Sequence, residues 1–209
     1  MLKRFLHAGC GAVRQGPVTT PGFLLPAWEE VRLDIDPSVG PDILASLADI
    51  PKAVEDGSFD AAYTSHALEH LFFHEVPLAL AGLRRVLRSA GYLVVSCPDI
   101  RAVAAEVAAG RLLSPVAESA SGPLTPMDML FGWGAALAGG NHYMAHRCGL
   151  DMANLARLLM EAGFATVLGG HPRGPFTLWA VASVSARDQR AMRGLAQRHF
   201  PLDEQARNG

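Results

Sequence analysis

FDAAYTSHALEHL, Phe59 to Leu71, is the stretch whose reading decides the fold. An acid, Asp60, precedes the apolar run Ala61-Ala62-Tyr63, which breaks into Thr64-Ser65-His66 and then into an apolar turn carrying Glu69 and His70. This reads as a buried strand whose carboxyl end opens directly into polar, titratable residues. In an open α/β sheet, ligands sit outside the carboxyl ends of the strands. Chemistry is therefore expected here, with the rest of the chain built to hold a ligand beside it.

Working outward, Val76, Leu80, Leu83 and Leu87 recur at helical spacing, with Gly91 expected as the C-cap. Tyr92 to Cys97, YLVVSC, is nearly all apolar, as suits a strand buried on both faces. Pro98-Asp99 ends it, and Asp99 can cap a helix with Ile100, Val103 and Val107 inward. Toward the N-terminus, a short strand from Lys3 ends in His7-Ala8-Gly9-Cys10-Gly11. Two glycines spaced by one residue allow a tight turn and close approach of a ligand to backbone, although an ordinary turn reads the same way. Pro17, Pro21, Gly22 and Pro26 then oppose a regular crossover helix. The second strand, Glu30 to Ile35, carries Asp34 near its end. An acid there can accept both hydroxyls of a ribose, or can be a solvated loop acid. Pro41 to Pro51 reads as a short third strand and a turn.

Residues 110 to 149 break the strand–helix alternation with Gly and Pro signals and a Met-rich piece, and read as an inserted, partly helical cap or lid over 112–149. Gly139-Gly140 and Gly149 are its expected hinges. Asp151 caps a further helix closed by Gly163. Phe164 to Leu168 and Phe176 to Val184 form the last two strands, joined by a hairpin-like loop that makes the final strand antiparallel. The end from Ser185 reads as a peripheral helix and a frayed tail.

The chain of 209 residues, half of them hydrophobic and 18% charged, suits a single folded domain over 1–209 with a sizeable core. A net charge of -2 gives no general argument for nucleic acid or anionic membrane binding, and neither partner is expected. Three scattered cysteines, Cys10, Cys97 and Cys148, fit a reducing cytoplasm and no disulfide framework. The basic N-terminus lacks the apolar core of a signal peptide, and no apolar run reaches transmembrane length.

In this order, LHAGCG, VRLDIDP, DGSFDAAYTSHALEHL, LRRVLRSAGYLVVSCPDI and a closing aromatic-rich hairpin, the motifs resemble class I S-adenosylmethionine-dependent methyltransferases over about residues 4 to 184. The nearest likeness is to small bacterial members with a GCG turn and an LEHL signature. The resemblance implies a doubly wound, Rossmann-like α/β fold with a mostly parallel seven-stranded sheet and an antiparallel last strand. It implies S-adenosylmethionine as cofactor and a small-molecule methyl acceptor. It places Gly9, Cys10 and Gly11 under the methionine part of the cofactor, Asp34 at the ribose, Ser46 and Leu47 at the adenine, and Ser65 and His66 beside the methionine moiety. His7 stands where the family usually has an acid, Val13 replaces a third glycine, and Ser46 replaces the adenine-side acid.

The candidate acid–base groups are His66, His70 and His146, with Glu69 on the face that His66 and His70 would share if the turn were helical. Such an HxxEH face can bind a divalent metal; it can equally be packed into structural hydrogen bonds, and no bound metal is expected. His142 and His146 read as donors over the acceptor pocket or as solvated loop residues. The function expected is methyl transfer to an unidentified acceptor. The rival readings are a degenerate fold acting as a binding or scaffold module, and a metal-dependent hydrolase. The oligomeric state stays open, a homodimer included.

Overall fold

The computed structural model describes residues 2–12, 19–24, 27–50, 54–119, 122–172 and 174–201. Its centre is one seven-stranded sheet. In chain order its strands are β1 (Lys3–Ala8), β2 (Trp28–Asp34), β3 (Ile43–Leu44), β4 (Phe59–Ser65), β5 (Leu87–Pro98), β8 (Thr166–Gly170) and β9 (Thr177–Ser183), with β6 and β7 paired apart from it. The spatial order is β3-β2-β1-β4-β5-β9-β8. The first five strands are mutually parallel, and β9 runs antiparallel to both β5 and β8. The chain order reverses at β1, so the carboxyl ends of β1 and β4 flank a switch point.

Alternation along the strands sorts their side chains to two faces. On one face Leu6, Ala8, Leu33, Ala62, Leu93 and Val95 pack against helix α1 (Val76–Val86) and helix α5 (Met152–Glu161), which contributes Leu155, Leu158 and Leu159. The amphipathic spacing read for α1 is what buries Val76, Leu80 and Leu83 here. On the other face Phe5, Ala61, Tyr63, Tyr92, Val94 and Val181 meet Phe23, Trp28 and helix α6 (Gln189–His199) through Met192 and Leu195. The described residues between β1 and β2 include a one-turn 3-10 segment, Pro21–Phe23; Pro17 and Pro26, on which the expectation of an irregular connection also rested, lie outside the described residues.

Four expectations need correction. Helix α1 ends at Val86, and Gly91 lies inside β5 rather than at a helix cap. A register shift between Phe59 and Ala61 accommodates the residues before Tyr92. The Gly91 backbone sits so close to the Arg88 carbonyl that a Cβ would lie 2.9 Å from it. Second, the C-terminal helix is no peripheral appendage, because Met192, Leu195 and His199 are buried. Third, Ile35 falls outside β2 and is exposed. Fourth, Gly149 packs closely, with a Cβ there landing 2.3 Å from Ile100 Cδ1, so it is a contact point and not a hinge.

Between helix α2 (Ile100–Ala108), capped by Asp99, and α5 lie the hairpin β6 (Ala117–Ser119) and β7 (Gly122–Leu124) and the short helices α3 (Pro126–Phe131) and α4 (Gly134–Ala138). Helix α3 starts with a reciprocal capping box between Thr125 and Asp128.

Candidate functional site

The turn after β1 is laced to β2 by backbone and carboxylate. Gly9 N–H and Cys10 N–H both donate to the Leu33 carbonyl, at 2.8 and 3.2 Å. Gly11 N–H donates to Asp34 Oδ2 at 2.8 Å, and Arg32 Nη2 donates to the Gly11 carbonyl at 2.6 Å. Asp34 Oδ1 accepts from Asp36 N–H at 3.0 Å. Gly9 and Gly11 have φ of +72° and +60°. A Cβ on Gly9 would stand 2.4 Å from Ala67 Cβ, so only glycine lets the β1 turn lie against the turn after β4. Around Gly11 no described residue lies within 4 Å of that position.

The other residues singled out from sequence sort differently. Cys10 is buried, which pushes its thiol up to about 11 and makes it no nucleophile. His7 is buried on the Tyr63 face, its Nδ1 2.6 Å from Glu30 Oε1 and its ring 5.0 Å from that of Tyr63. Glu30, on the neighbouring strand, thus sets its carboxylate against the His7 ring. Ser46 caps its own turn by accepting from Ala48 N–H, and Leu47 is buried close to Gly9. Ser65 Oγ and Ser96 Oγ are 2.7 Å apart at the carboxyl ends of β4 and β5. Val13 lies outside the described residues.

The turn after β4 is a 3-10 turn, Leu68–His70, rather than α-helix. His66 precedes it at φ +49°, the one non-glycine residue with positive φ among the described residues. Such a conformation is uncommon, and its occurrences concentrate where surrounding structure holds functional groups in place. His66 Nδ1 lies 3.2 Å from Glu69 Oε1, with the His66 side chain 51% exposed and that of Glu69 4%. Desolvation opposes protonation of His66, but the Glu69 carboxylate outweighs it and raises the His66 pKa. Burial likewise works against charge on Glu69, yet His66, His70 and His146 together lower its pKa.

The insert returns to this turn. Arg147 N–H and Cys148 N–H both donate to the Glu69 carbonyl, at 2.8 and 3.3 Å. His146 is brought beside His70, ring centroids 4.9 Å apart in an edge-to-face arrangement, and burial lowers its pKa. His142 is exposed and does not join them. Glu30 and Ser96 escaped the sequence reading, although each left a signal. Glu30 is a charged residue within a strand, and Ser96 is the polar interruption of an otherwise apolar run.

A doubly wound sheet with a glycine turn and an acid at adjacent strand ends defines a nucleotide-type binding fold. Residues 6–95 match a family model described as a methyltransferase domain. No curated protein matches the sequence. Among solved structures, the chain is similar to Burkholderia thailandensis 1,6-didemethyltoxoflavin-N1-methyltransferase, with bound 1,6-didemethyltoxoflavin and S-adenosylhomocysteine. The identity is 16% and the TM-score 0.51, over 87% of this chain and 70% of that one. It is also similar to an S-adenosylmethionine-dependent methyltransferase from Archaeoglobus fulgidus, at 15% identity and TM-score 0.53, over 87% and 86% of the two chains. The fold is that of class I S-adenosylmethionine-dependent methyltransferases, and residues 6–95 are similar to a methyltransferase domain.

Proposed function

We propose that this chain transfers a methyl group from S-adenosylmethionine to a small-molecule acceptor, with the cofactor held between the Gly9–Gly11 turn and Asp34. The observation that carries the reading is the coupling of these two elements, Gly11 N–H to Asp34 Oδ2 at 2.8 Å, with no described residue within 4 Å of the Gly11 Cβ position. The residues fit the cofactor. Each Asp34 oxygen accepts one backbone N–H and keeps a lone pair for a ribose hydroxyl. When bound, the sulfonium supplies an electrophilic methyl group. The protein's part in such a displacement is orientation and exclusion of water.

His66 is the group placed to take a proton from an acceptor, being exposed and backed by a carboxylate. His7, Ser46 and Leu47 support the site from beneath: His7 faces Glu30, and Ser46 caps the turn that packs Leu47 near Gly9. Residues 112–149 serve as the cover, and their attachment to the Glu69 carbonyl is what favours this. The three cysteines are unpaired, in keeping with a cytoplasmic setting, and among the described residues no helix is long and apolar enough to cross a membrane. The family match and the fold lend the hydrolase reading no support.

Calorimetry with S-adenosylmethionine and S-adenosylhomocysteine tests the reading. Both should bind, and Asp34→Ala should weaken binding by about 1–3 kcal/mol, the scale for losing hydrogen bonds to a charged group. No heat for either ligand well above micromolar concentration would leave a scaffold as the function.

A further inference from the structure

Glu69, His70 and His146 each offer one ligand-type atom, and these atoms all lie within 4.8 Å of one another. Two further observations separate this cluster from a chance meeting of polar groups. First, Glu69 is 3% exposed, and among the described residues both its carboxylate oxygens are buried without an aligned hydrogen bond, the His66 Nδ1 standing 3.2 Å from Oε1. A carboxylate so placed calls for a cation or donors to meet it. Second, both histidines are held by backbone through Nδ1. His70 Nδ1–H donates to the Ala145 carbonyl at 3.1 Å, and His146 Nδ1–H donates to the Met129 carbonyl at 2.8 Å. A carbonyl only accepts, so the hydrogen is on Nδ1, and in the neutral ring Nε2 keeps its lone pair. Donation of the second ring nitrogen to a carbonyl is how metal-binding histidines are oriented.

We propose that Glu69, His70 and His146 bind one divalent transition-metal ion of the zinc or cobalt type. The donor set of two imidazoles and a carboxylate suits such ions and leaves coordination positions open. Ligand atoms of a tetrahedral site stand about 3.3 Å apart when each bond is about 2.0 Å, so small side-chain rotations close the gap. The proposal departs from the expectation of no bound metal drawn from the sequence. The reason is that His146 comes from 76 positions beyond His70 and could not be paired with it by spacing. The ion would tie the insert to the turn after β4. Its open positions offer a place for an acceptor oxygen, and that last role rests on the methyl-transfer reading; the site itself does not.

The test is titration of the metal-free full chain with Co2+, read by visible absorption and by equilibrium dialysis, together with Zn2+ competition. One equivalent should bind with the spectrum of imidazole-coordinated cobalt, and Zn2+ should displace it. His146→Gln and Glu69→Gln should weaken binding by more than about 100-fold, beyond what loss of an outer-shell partner costs. His142→Gln, at an exposed position, should bind as the unaltered chain does. Should Glu69→Gln fail to fold, His70→Gln takes its place. Absence of binding up to millimolar Co2+ by folded protein, or undiminished binding by His146→Gln, overturns the proposal. The Glu69 carboxylate would then be served by a water in the adjoining cavity of about 20 Å³, lined also by Cys97, Met129 and Cys148. Calorimetry with S-adenosylhomocysteine on the same samples reads the cofactor site separately.

Discussion

Two glycines two positions apart in the β1 turn carry different constraints. Gly9 is pressed against Ala67, where a Cβ would fall at 2.4 Å, and its φ is +72°. Gly11 has no described residue within 4 Å of its Cβ position, and among the described residues only its φ of +60° opposes a side chain. The strain of one alanine in the left-handed region is about 1–2 kcal/mol. Gly11→Ala should therefore lower the melting temperature modestly while removing most cofactor affinity, because the new methyl enters the space proposed for the cofactor. Gly9→Ala should lower the melting temperature much further, because two turns must separate. Thermal melts and calorimetry on the pair check this, and equal melts would show that the Gly9–Ala67 contact is not rigid. The spacing of the two glycines was legible in the sequence. Their separate burdens were not, since Ala67 lies 58 positions away.

At the scale of elements, α6 is tied down by a histidine in its last turn. His199 is 1% exposed, with Nδ1 2.6 Å from Thr20 Oγ1 and Nε2 3.0 Å from the Tyr92 hydroxyl. Its ring lies against Phe23, and a Cβ on Gly22 would come within 2.3 Å of it. Burial, assisted by Arg198, lowers its pKa to about 4. The folded chain thus keeps His199 neutral at pH values where the unfolded chain, near its ordinary pKa of about 6.5, takes up a proton. Stability from this residue is complete above about pH 6.5 and is lost as pH falls toward 4, on the order of 3 kcal/mol in all. Denaturant melts at pH 7.5 and pH 4.5 should show this loss in the unaltered chain and a clearly smaller one in His199→Gln. An equal pH dependence in both would mean that His199 is reached by water in the folded state.

Across the whole molecule, the β1-to-β2 connection and the C-terminal helix act together as the cover of one sheet face. Among the described residues the connection provides Phe23 and a 3-10 turn, and α6 provides Met192 and Leu195. Each large apolar side chain buried contributes roughly 1.5–3 kcal/mol, against a total stability of roughly 5–15 kcal/mol for a domain. Ending the chain at Arg187 should therefore abolish cooperative unfolding and expose the apolar face to a dye such as ANS. A sharp melt in the shortened chain would restore the reading of α6 as peripheral.

What the sequence determined by itself was the strand alternation, the antiparallel closing strand and the glycine and acid positions at the strand ends. These depend on local pattern, apolar runs, turn residues and caps, which neighbouring residues state directly. Tertiary structure decided the rest. It brought the far end of the chain onto the same sheet face as the β1-to-β2 connection, because an uncovered apolar face takes whichever amphipathic element can reach it. It put Glu30 beside His7, Ser96 beside Ser65 and His146 beside His70, pairings set by register and insert docking across 23, 31 and 76 positions. It buried the Glu69 carboxylate beside three histidines with no aligned hydrogen bond among the described residues, a property of surroundings that no single residue carries.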